Sequence, residues 1–141
     1  MKIRGLAFST LSFLIAARAH AEAPFVNISF DEACAKATKC NKVVLVDFYT
    51  TWCSPCKKLD RETWPNEDVK SFLSEKFIAI KLDAEKDTKT AGKFNIKVYP
   101  TILLAKPGGE EIGRLTGFIL PEQMVAELKS ALAGKGNVPR A

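Results

Sequence analysis

The chain has 141 residues, of which 47% are hydrophobic and 26% are charged, and its formal net charge is +5 at pH 7. This composition is typical of one globular domain, and the sequence contains no internal repeat, low-complexity segment or sign of a second domain. The lysines are scattered, without an arginine cluster or a basic stripe beside stacking aromatic residues, so nucleic-acid binding is not indicated.

The N-terminal segment has the pattern of a secretory signal peptide. Lys2 and Arg4 precede an apolar stretch from Leu6 to Ala17, and Ala19-His20-Ala21 forms a small-x-small cleavage site. We therefore expect residues 1–21 to be removed and the protein to lie in the periplasm or another extracytoplasmic compartment. Removal leaves 18 basic and 16 acidic residues, so most of the positive charge belongs to the targeting segment.

We expect the mature chain, residues 22–141, to be a single domain. No apolar stretch in it reaches the about 18 residues that suggest a membrane-spanning helix, so we expect no membrane insertion. The mature chain starts with an extended segment that ends at Ile28. Ser29 and Glu32 then form a capping box, which predicts a helix to about Lys39.

A buried strand followed by two cysteines is the centre of the chain. Val43 to Tyr49 is a run of β-branched and apolar residues, and a Thr-Thr-Trp connection joins it to Cys53 and Cys56 at the predicted start of a helix. The unpaired N–H groups and the positive dipole end of a helix N-terminus favour a thiolate, so Cys53 is the predicted nucleophile. Cys56, on the same helical face and one turn deeper, is the predicted, less accessible resolving thiol.

Two other uses of this cysteine pair have weaker support. A zinc site needs four ligands, but the sequence has no second Cys-x-x-Cys, and its only histidine, His20, lies in the predicted signal peptide. A purely structural disulfide is an alternative, yet bridging so short a loop restrains the unfolded chain little. The pattern thus favours redox chemistry, and it implies neither a metal nor an organic cofactor.

The rest of the sequence predicts an α/β fold. The remaining predicted elements are a helix from the two cysteines to about Arg61 or Glu62, a second helical piece capped by Asn66, a parallel strand from Phe77 to Asp83, a helix from Thr88 to Phe94, an antiparallel hairpin of Thr101 to Ala105 and Glu111 to Leu115, a closing helix from Pro121, and a flexible tail over residues 134–141. This order predicts a central mixed sheet of four to five strands, flanked by helices on both faces. The two cysteines would lie at the carboxyl end of a central strand.

Three features of the sequence resemble a known family: Asp47 six residues before Cys53, the stretch Trp52-Cys53-Ser54-Pro55-Cys56-Lys57, and Tyr99-Pro100-Thr101. From about Ser29 to Leu132 the chain resembles the thioredoxin-fold family. In its details it is most similar to the exported thioredoxin-like domains related to the C-terminal domain of the DsbD reductase. The resemblance implies a thioredoxin fold. One departure is Arg61, which stands where thioredoxins have a kinking proline.

The resemblance also implies a substrate-binding site around the two cysteines. Pro100 would be cis and face the cysteines, and the backbone of Tyr99 would bind an extended substrate segment, with Ser54 and Pro55 close by. The alternative for Pro100 is an ordinary trans loop proline. Trp52 would pack beside the two thiols and shield them, although it is also consistent with a plain core aromatic residue.

Asp47 is unusual because it lies inside an otherwise apolar strand. A lone ionised carboxylate buried there costs several kcal/mol, so Asp47 should have a raised pKa or a partner. One role is a general base that takes the proton from Cys56, and the alternative is that Asp47 caps a local turn or reaches solvent. Lys81, in the adjoining predicted strand, resembles a thioredoxin lysine near this acid, but it is equally consistent with an exposed strand lysine.

Cys34 and Cys40 form a second pair whose role is open. On one continuous helix they would point to different sides, so a disulfide between them requires the helix to end before Cys40 and the chain to fold back. We favour the alternative, in which Cys34 fills a core position as a small apolar residue and Cys40 is a partly exposed free thiol.

Together these features predict an exported protein-disulfide reductase. Pro55 lacks an N–H that could stabilise a thiolate, which argues against an extreme oxidant. We expect its partners to be proteins with disulfide bonds and a membrane electron donor of the DsbD type, and we expect a monomer. The alternatives are a disulfide oxidase or isomerase of the same fold, or a non-catalytic binding or metal-delivery module.

Overall fold

The computed structural model describes residues 24–135, which form five α-helices, one π-helical turn and four strands. In chain order these are α1 (Phe30–Cys40), β1 (Val43–Tyr49), α2 (Ser54–Lys58), the π-helical turn (Leu59–Thr63), α3 (Glu67–Lys76), β2 (Phe77–Asp83), α4 (Thr88–Lys93), β3 (Thr101–Ala105), β4 (Glu111–Thr116) and α5 (Pro121–Leu132). The predicted signal peptide, residues 1–21, lies outside the described residues, as do residues 136–141 of the predicted tail. No helix within the described range is both long and apolar enough to cross a membrane.

The four strands form one mixed sheet in the order β2-β1-β3-β4. β1 pairs in parallel with β2 and antiparallel with β3, and β3 and β4 form the predicted antiparallel hairpin. The sheet has the lower of the two predicted strand numbers. Where a fifth strand could have formed, the chain before α1 makes a single parallel bridge between Phe25 and Ala79. β1 is therefore central, and the cysteine motif follows its carboxyl end.

Each face of β1 is covered by its own apolar cluster. Because side chains alternate along a strand, Val44, Val46 and Phe48 share one face, where they pack with residues of α1 and α4. Leu45 lies on the opposite face, in a cluster with residues of the π-helical turn, α3 and α5. Asp47 is the next residue on this second face, so its carboxyl group points into a largely apolar layer.

Side-chain caps start two helices at their predicted places. The Ser29 Oγ accepts a hydrogen bond from the N–H of Glu32 at 3.3 Å, and the Glu32 carboxylate accepts one from the N–H of Ser29 at 2.8 Å. The Asn66 Oδ1 accepts hydrogen bonds from the N–H groups of Asp68 and Val69 at 3.0 and 3.2 Å. The capping box of α1 and the asparagine cap of α3 are thus confirmed.

The helix after the cysteines is not regular, contrary to the prediction of one helix to Arg61 or Glu62. α2 ends at Lys58 and the chain continues as the π-helical turn, which is closed by a hydrogen bond from the N–H of Trp64 to the carbonyl oxygen of Leu59 at 3.0 Å. One extra residue in a turn rotates and bends the helix that follows. The turn brings the Trp64 side chain into the apolar layer on the second face of β1.

Candidate functional site

The two cysteines of the motif lie at the junction between β1 and α2. Cys53 is the N-cap residue of α2, and its Sγ accepts a hydrogen bond from the backbone N–H of Cys56 at 3.2 Å. A disulfide bond joins the two residues, whose Cα atoms are 5.3 Å apart. β1 therefore delivers the pair to a helix N-terminus, as the sequence predicts, and the structure holds the oxidised form.

Exposure does not distinguish the two cysteines, since each has 3% of its surface exposed. The prediction that Cys56 is less accessible than Cys53 is wrong for this oxidised form, in which the two residues are equally buried. Ser54 and Pro55, which lie between them, are exposed. The position in the helix still separates their roles: after reduction, a thiolate at Cys53 could accept the N–H of Cys56, which favours the charged form of the nucleophile.

Asp47 is fully buried on the second face of β1. Its Oδ2 accepts a hydrogen bond from the indole Nε1–H of Trp64 at 3.0 Å and lies 3.6 Å from the Nζ of Lys81. Burial raises the pKa of Asp47 to about 6, although the charge of Lys81 and the hydrogen bond from Trp64 oppose the rise. The alternative that Asp47 caps a turn or reaches solvent is therefore wrong, and the carboxyl group titrates in a range that suits a proton acceptor.

Lys81 is the register partner of Asp47 across the parallel pair of β1 and β2. Its ammonium group forms ion pairs with both Asp47 and Asp60, and its side chain is only 25% exposed. Asp60 belongs to the π-helical turn, so one lysine links the turn to the central strand. The interpretation of Lys81 as a plain exposed strand lysine is wrong.

Trp52 and Tyr99 form an aromatic pair on the surface near the cysteine motif. Trp52 is 63% exposed, its indole N–H donates a hydrogen bond to the Oε1 of Glu85 at 3.0 Å, and its ring lies edge-on to that of Tyr99 with centroids 5.9 Å apart. The interpretation of Trp52 as a core residue is therefore wrong. The Tyr99–Pro100 peptide bond is cis, and Pro100 is buried. With exposed Val98, the pair gives an apolar surface beside the segment that carries the disulfide.

Cys34 and Cys40 do not form the possible second disulfide. Both are free, because α1 is one continuous helix to Cys40 and six residues along a helix turn the two side chains to different sides. Cys34 is half-buried against the apolar cluster of α1, and this burial raises the pKa of its thiol. Cys40 is exposed. Residues 24–135 contain no group of three or more His, Cys, Asp or Glu side chains that could hold a metal ion.

Sequence reasoning missed three residues of the site: Asp60, Trp64 and Glu85. Each makes a side-chain contact with a predicted site residue that is distant in the sequence. Trp64 lies between the two predicted helical pieces, and the extra residue of the π-helical turn sets where its side chain points. No spacing rule for regular helices gives that direction.

Comparison of the sequence with known protein families gives a match over most of the chain. The family described as "Thioredoxin-like domain" matches residues 30–132. Thioredoxin 2 of Chlorobaculum tepidum is 34% identical over 93 residues, which are 66% of this chain and 81% of that protein. Thioredoxin Y of Oryza sativa is 36% identical over 104 residues, and Thioredoxin Y1 of Arabidopsis thaliana is 34% identical over 95. The chain matches only 58% and 53% of the length of these two chloroplast relatives.

Comparison with solved structures also supports a thioredoxin-like fold. A structure named "DsbH Oxidoreductase" superimposes with a TM-score of 0.69 at 19% identity, covering 86% of this chain and 94% of that one. The solution structure of a candidate disulphide-isomerase from Bacteroides thetaiotaomicron has a TM-score of 0.70 at 30% identity and covers 79% of this chain and 94% of that one.

Proposed function

Since this chain belongs to the thioredoxin-like family, we propose that it is a thiol-disulfide oxidoreductase that reduces disulfide bonds of protein substrates. The observation that carries this proposal is the Cys53–Cys56 disulfide at the N-terminus of α2. A buried carboxyl group with a pKa of about 6, Asp47, lies on the strand that leads into it. These are a redox couple and a proton acceptor on one strand-to-helix unit.

The reaction starts from the reduced form. The Cys53 thiolate attacks one sulfur of the substrate disulfide, so a mixed disulfide forms and the other substrate sulfur leaves as a thiolate, which takes a proton from water. Cys56 gives its proton to Asp47 and attacks the Sγ of Cys53. The Cys53–Cys56 bond forms as the bond between Cys53 and the substrate breaks, and the second substrate thiolate leaves and takes a proton from water, while Asp47 releases its proton to solvent. Two electrons have passed to the substrate, and the protein is left as the oxidised form described above.

The hydrogen-bond donors to the Cys53 sulfur favour a reductant over an oxidant. The N–H of Cys56 donates to the Sγ of Cys53, whereas Pro55 has no N–H to add a second donor of this kind. Strong oxidants owe their potential to a highly stabilised thiolate in the reduced form. Because Pro55 provides no N–H donor to the Cys53 sulfur, the thiolate is less stabilised, which favours a reductant.

The reductant works outside the cytoplasm in this proposal, since residues 1–21 have the pattern of an export signal. An extracytoplasmic reductant needs a supply of electrons across the membrane. A membrane electron donor of the DsbD type would return the Cys53–Cys56 pair to its reduced form.

The substrate-binding surface in this proposal is formed by Trp52, Val98 and Tyr99. These side chains are exposed or half-exposed and apolar, and the Trp52–Tyr99 contact places the cis-proline loop against the segment that enters α2. An extended and partly unfolded protein segment that contains a disulfide fits such a surface.

Reduction of insulin by dithiothreitol tests the proposal. The purified protein should accelerate the precipitation of the insulin B chain, and Cys53→Ala should return the rate to that of dithiothreitol alone. Cys40→Ala is the matched control, since it removes an exposed cysteine from outside the site, and it should keep the full rate. If wild type and Cys53→Ala behave alike, the proposed activity is wrong.

A second candidate function is disulfide isomerisation, favoured by the 30% identity to the candidate disulphide-isomerase from Bacteroides thetaiotaomicron. Reactivation of a scrambled disulfide protein separates the two functions. A reductase leaves reduced and inactive substrate when thiol buffer is absent, whereas an isomerase restores activity without net electron transfer.

A further inference from the structure

Asp47 has two chemically different carboxyl oxygens. Its Oδ2 accepts the indole N–H of Trp64 at 3.0 Å and faces the Nζ of Lys81 at 3.6 Å. Its Oδ1 is buried and has no hydrogen-bond partner among residues 24–135. A buried carboxyl oxygen without a partner is costly, because its desolvation is not offset, and a catalytic role is one reason for a protein to keep such a group.

We propose that Trp64 is a positioning residue for the proton transfer: its indole N–H fixes Oδ2 of Asp47, so that Oδ1 is the atom that takes the proton from the resolving thiol. This inference rests on the proposed function, in which Asp47 is the proton acceptor for Cys56. It adds which oxygen accepts the proton and which side chain holds it in place.

The Trp64 side chain is fixed well enough for this role. Only 2% of its surface is exposed, and its ring lies edge-on to that of Phe25 with centroids 5.2 Å apart. Its backbone is held by the hydrogen bond to Leu59 that closes the π-helical turn, and the hydroxyl of the preceding Thr63 donates to the carbonyl oxygen of Ile119 at 2.6 Å. The indole N–H therefore has little freedom to leave the carboxyl group.

Lys81 cannot replace Trp64 as the fixed partner. Two charged groups face Asp47 from the elements packed against it, Lys81 from β2 and Asp60 from the π-helical turn, while its register partner on β3, Ile102, is apolar. Lys81 also pairs with Asp60, so its charge is shared between two carboxylates. The hydrogen bond from Trp64 is the shorter of the two contacts on Oδ2, at 3.0 Å against 3.6 Å for Lys81.

The first test uses ¹⁵N NMR of the oxidised protein, in which Cys53 and Cys56 do not titrate. The chain has two tryptophans and therefore two indole N–H signals. We expect the Trp64 signal to shift with pH with a midpoint close to that of Asp47, and we expect this midpoint to vanish in Asp47→Asn. The Trp52 signal, whose N–H donates to Glu85, is the internal control and should not share the midpoint. A Trp64 signal that does not move, or that keeps its midpoint in Asp47→Asn, overturns the proposal.

The second test compares three variants in the rate at which the mixed disulfide is resolved. Trp64→Phe keeps a buried ring but removes the N–H, so the acidic limb of the pH–rate profile should move to higher pH by about half a unit or more. Phe25→Leu disturbs the packing of the indole without removing its N–H, and Asp60→Asn removes a negative charge near Asp47. The limb should stay in place in Phe25→Leu and move to lower pH in Asp60→Asn.

A purely structural role for Trp64 predicts a different result, in which Trp64→Phe lowers the rate equally at all pH values and leaves the limb in place. That result overturns the proposal. It leaves the proposed function intact, because insulin reduction by the wild-type protein is measured independently.

Discussion

The chain contains two pairs of cysteines, and their difference shows what makes a pair reactive. Cys53 and Cys56 are three residues apart at a helix N-terminus and are joined by a disulfide. Cys34 and Cys40 are six residues apart within α1 and are both free. The spacing along the helix and the place in the helix decide the outcome, since all four residues have the same intrinsic chemistry. The first pair also has a buried carboxyl group on the preceding strand.

The largest difference between the pairs should appear when one cysteine of each is removed. Cys56→Ser should lose turnover to the uncatalysed rate and trap the mixed disulfide between Cys53 and a protein substrate, because no resolving thiol is left. Cys40→Ser should turn over normally and trap nothing. Non-reducing gels and mass spectrometry detect the trapped species, and equal trapping by the two variants would contradict the assignment of roles.

The carboxyl group is the next feature that separates the pairs. Asp47→Asn should slow resolution of the mixed disulfide by about 100-fold at pH 7, since it removes the proposed general base. The rate in the wild type should rise with pH through about 6, where Asp47 loses its proton. Stopped-flow measurement from pH 5 to 8 checks both expectations. If the pH–rate profile of Asp47→Asn kept the same acidic limb as the wild type, the rise of the rate with pH would belong to a group other than Asp47.

Asp47 should also make the stability of the fold depend on pH. Its pKa is raised from 3.8 to about 6 on folding, so the folded state holds the proton more tightly than the unfolded state. The free energy of unfolding should therefore be highest below about pH 4 for this group and fall as the pH rises to about 6 and above, by about 3 kcal/mol. Urea unfolding of wild type and Asp47→Asn at several pH values isolates this contribution. Parallel curves for the two proteins would show that Asp47 is not buried as described.

The aromatic surface beside the reactive pair should have a smaller effect. Trp52→Ala removes an exposed ring that contacts Tyr99, so KM for a protein substrate should rise by about 5- to 10-fold, with little change in kcat. A small-molecule disulfide serves as the control substrate, because it does not cover this surface. An equal loss with both substrates would assign Trp52 to the chemistry and not to substrate binding.

The smallest effect is expected at the second pair. The double variant Cys34→Ser/Cys40→Ser should keep the activity and the reduction potential of the wild type, at a cost of about 1 kcal/mol or less in unfolding free energy from half-buried Cys34. Insulin reduction and urea unfolding check this. A marked change in potential would indicate exchange between the two pairs.

The sequence was sufficient to predict the order of the elements, the sheet type and the placement of the reactive pair. The continuous apolar run of Val43–Tyr49, the Ser29 and Asn66 caps and the cysteine spacing are local signals, and each acts over a few residues. Asp47 could be predicted as a buried acid because it interrupts an apolar strand.

The partners of Asp47 could not be predicted in the same way. Trp64 reaches it through a π-helical turn, and Asp60 reaches Lys81 from that same turn. A π-helical turn changes the direction of every side chain after it by an amount that residue spacing does not record. The exposed position of Trp52 likewise depends on contacts with Glu85 and Tyr99, which lie far away in the sequence.

The equilibrium reduction potential of the Cys53–Cys56 couple, measured in the Cys34→Ser/Cys40→Ser background, shows whether the protein is a reductant or an oxidant. A reductant should have a value near that of thioredoxin, about −270 mV, because a single backbone N–H hydrogen bond to the Cys53 sulfur is found among residues 24–135. A value near that of strong oxidants such as DsbA, about −120 mV, would contradict the proposed direction and make the protein a donor of disulfides.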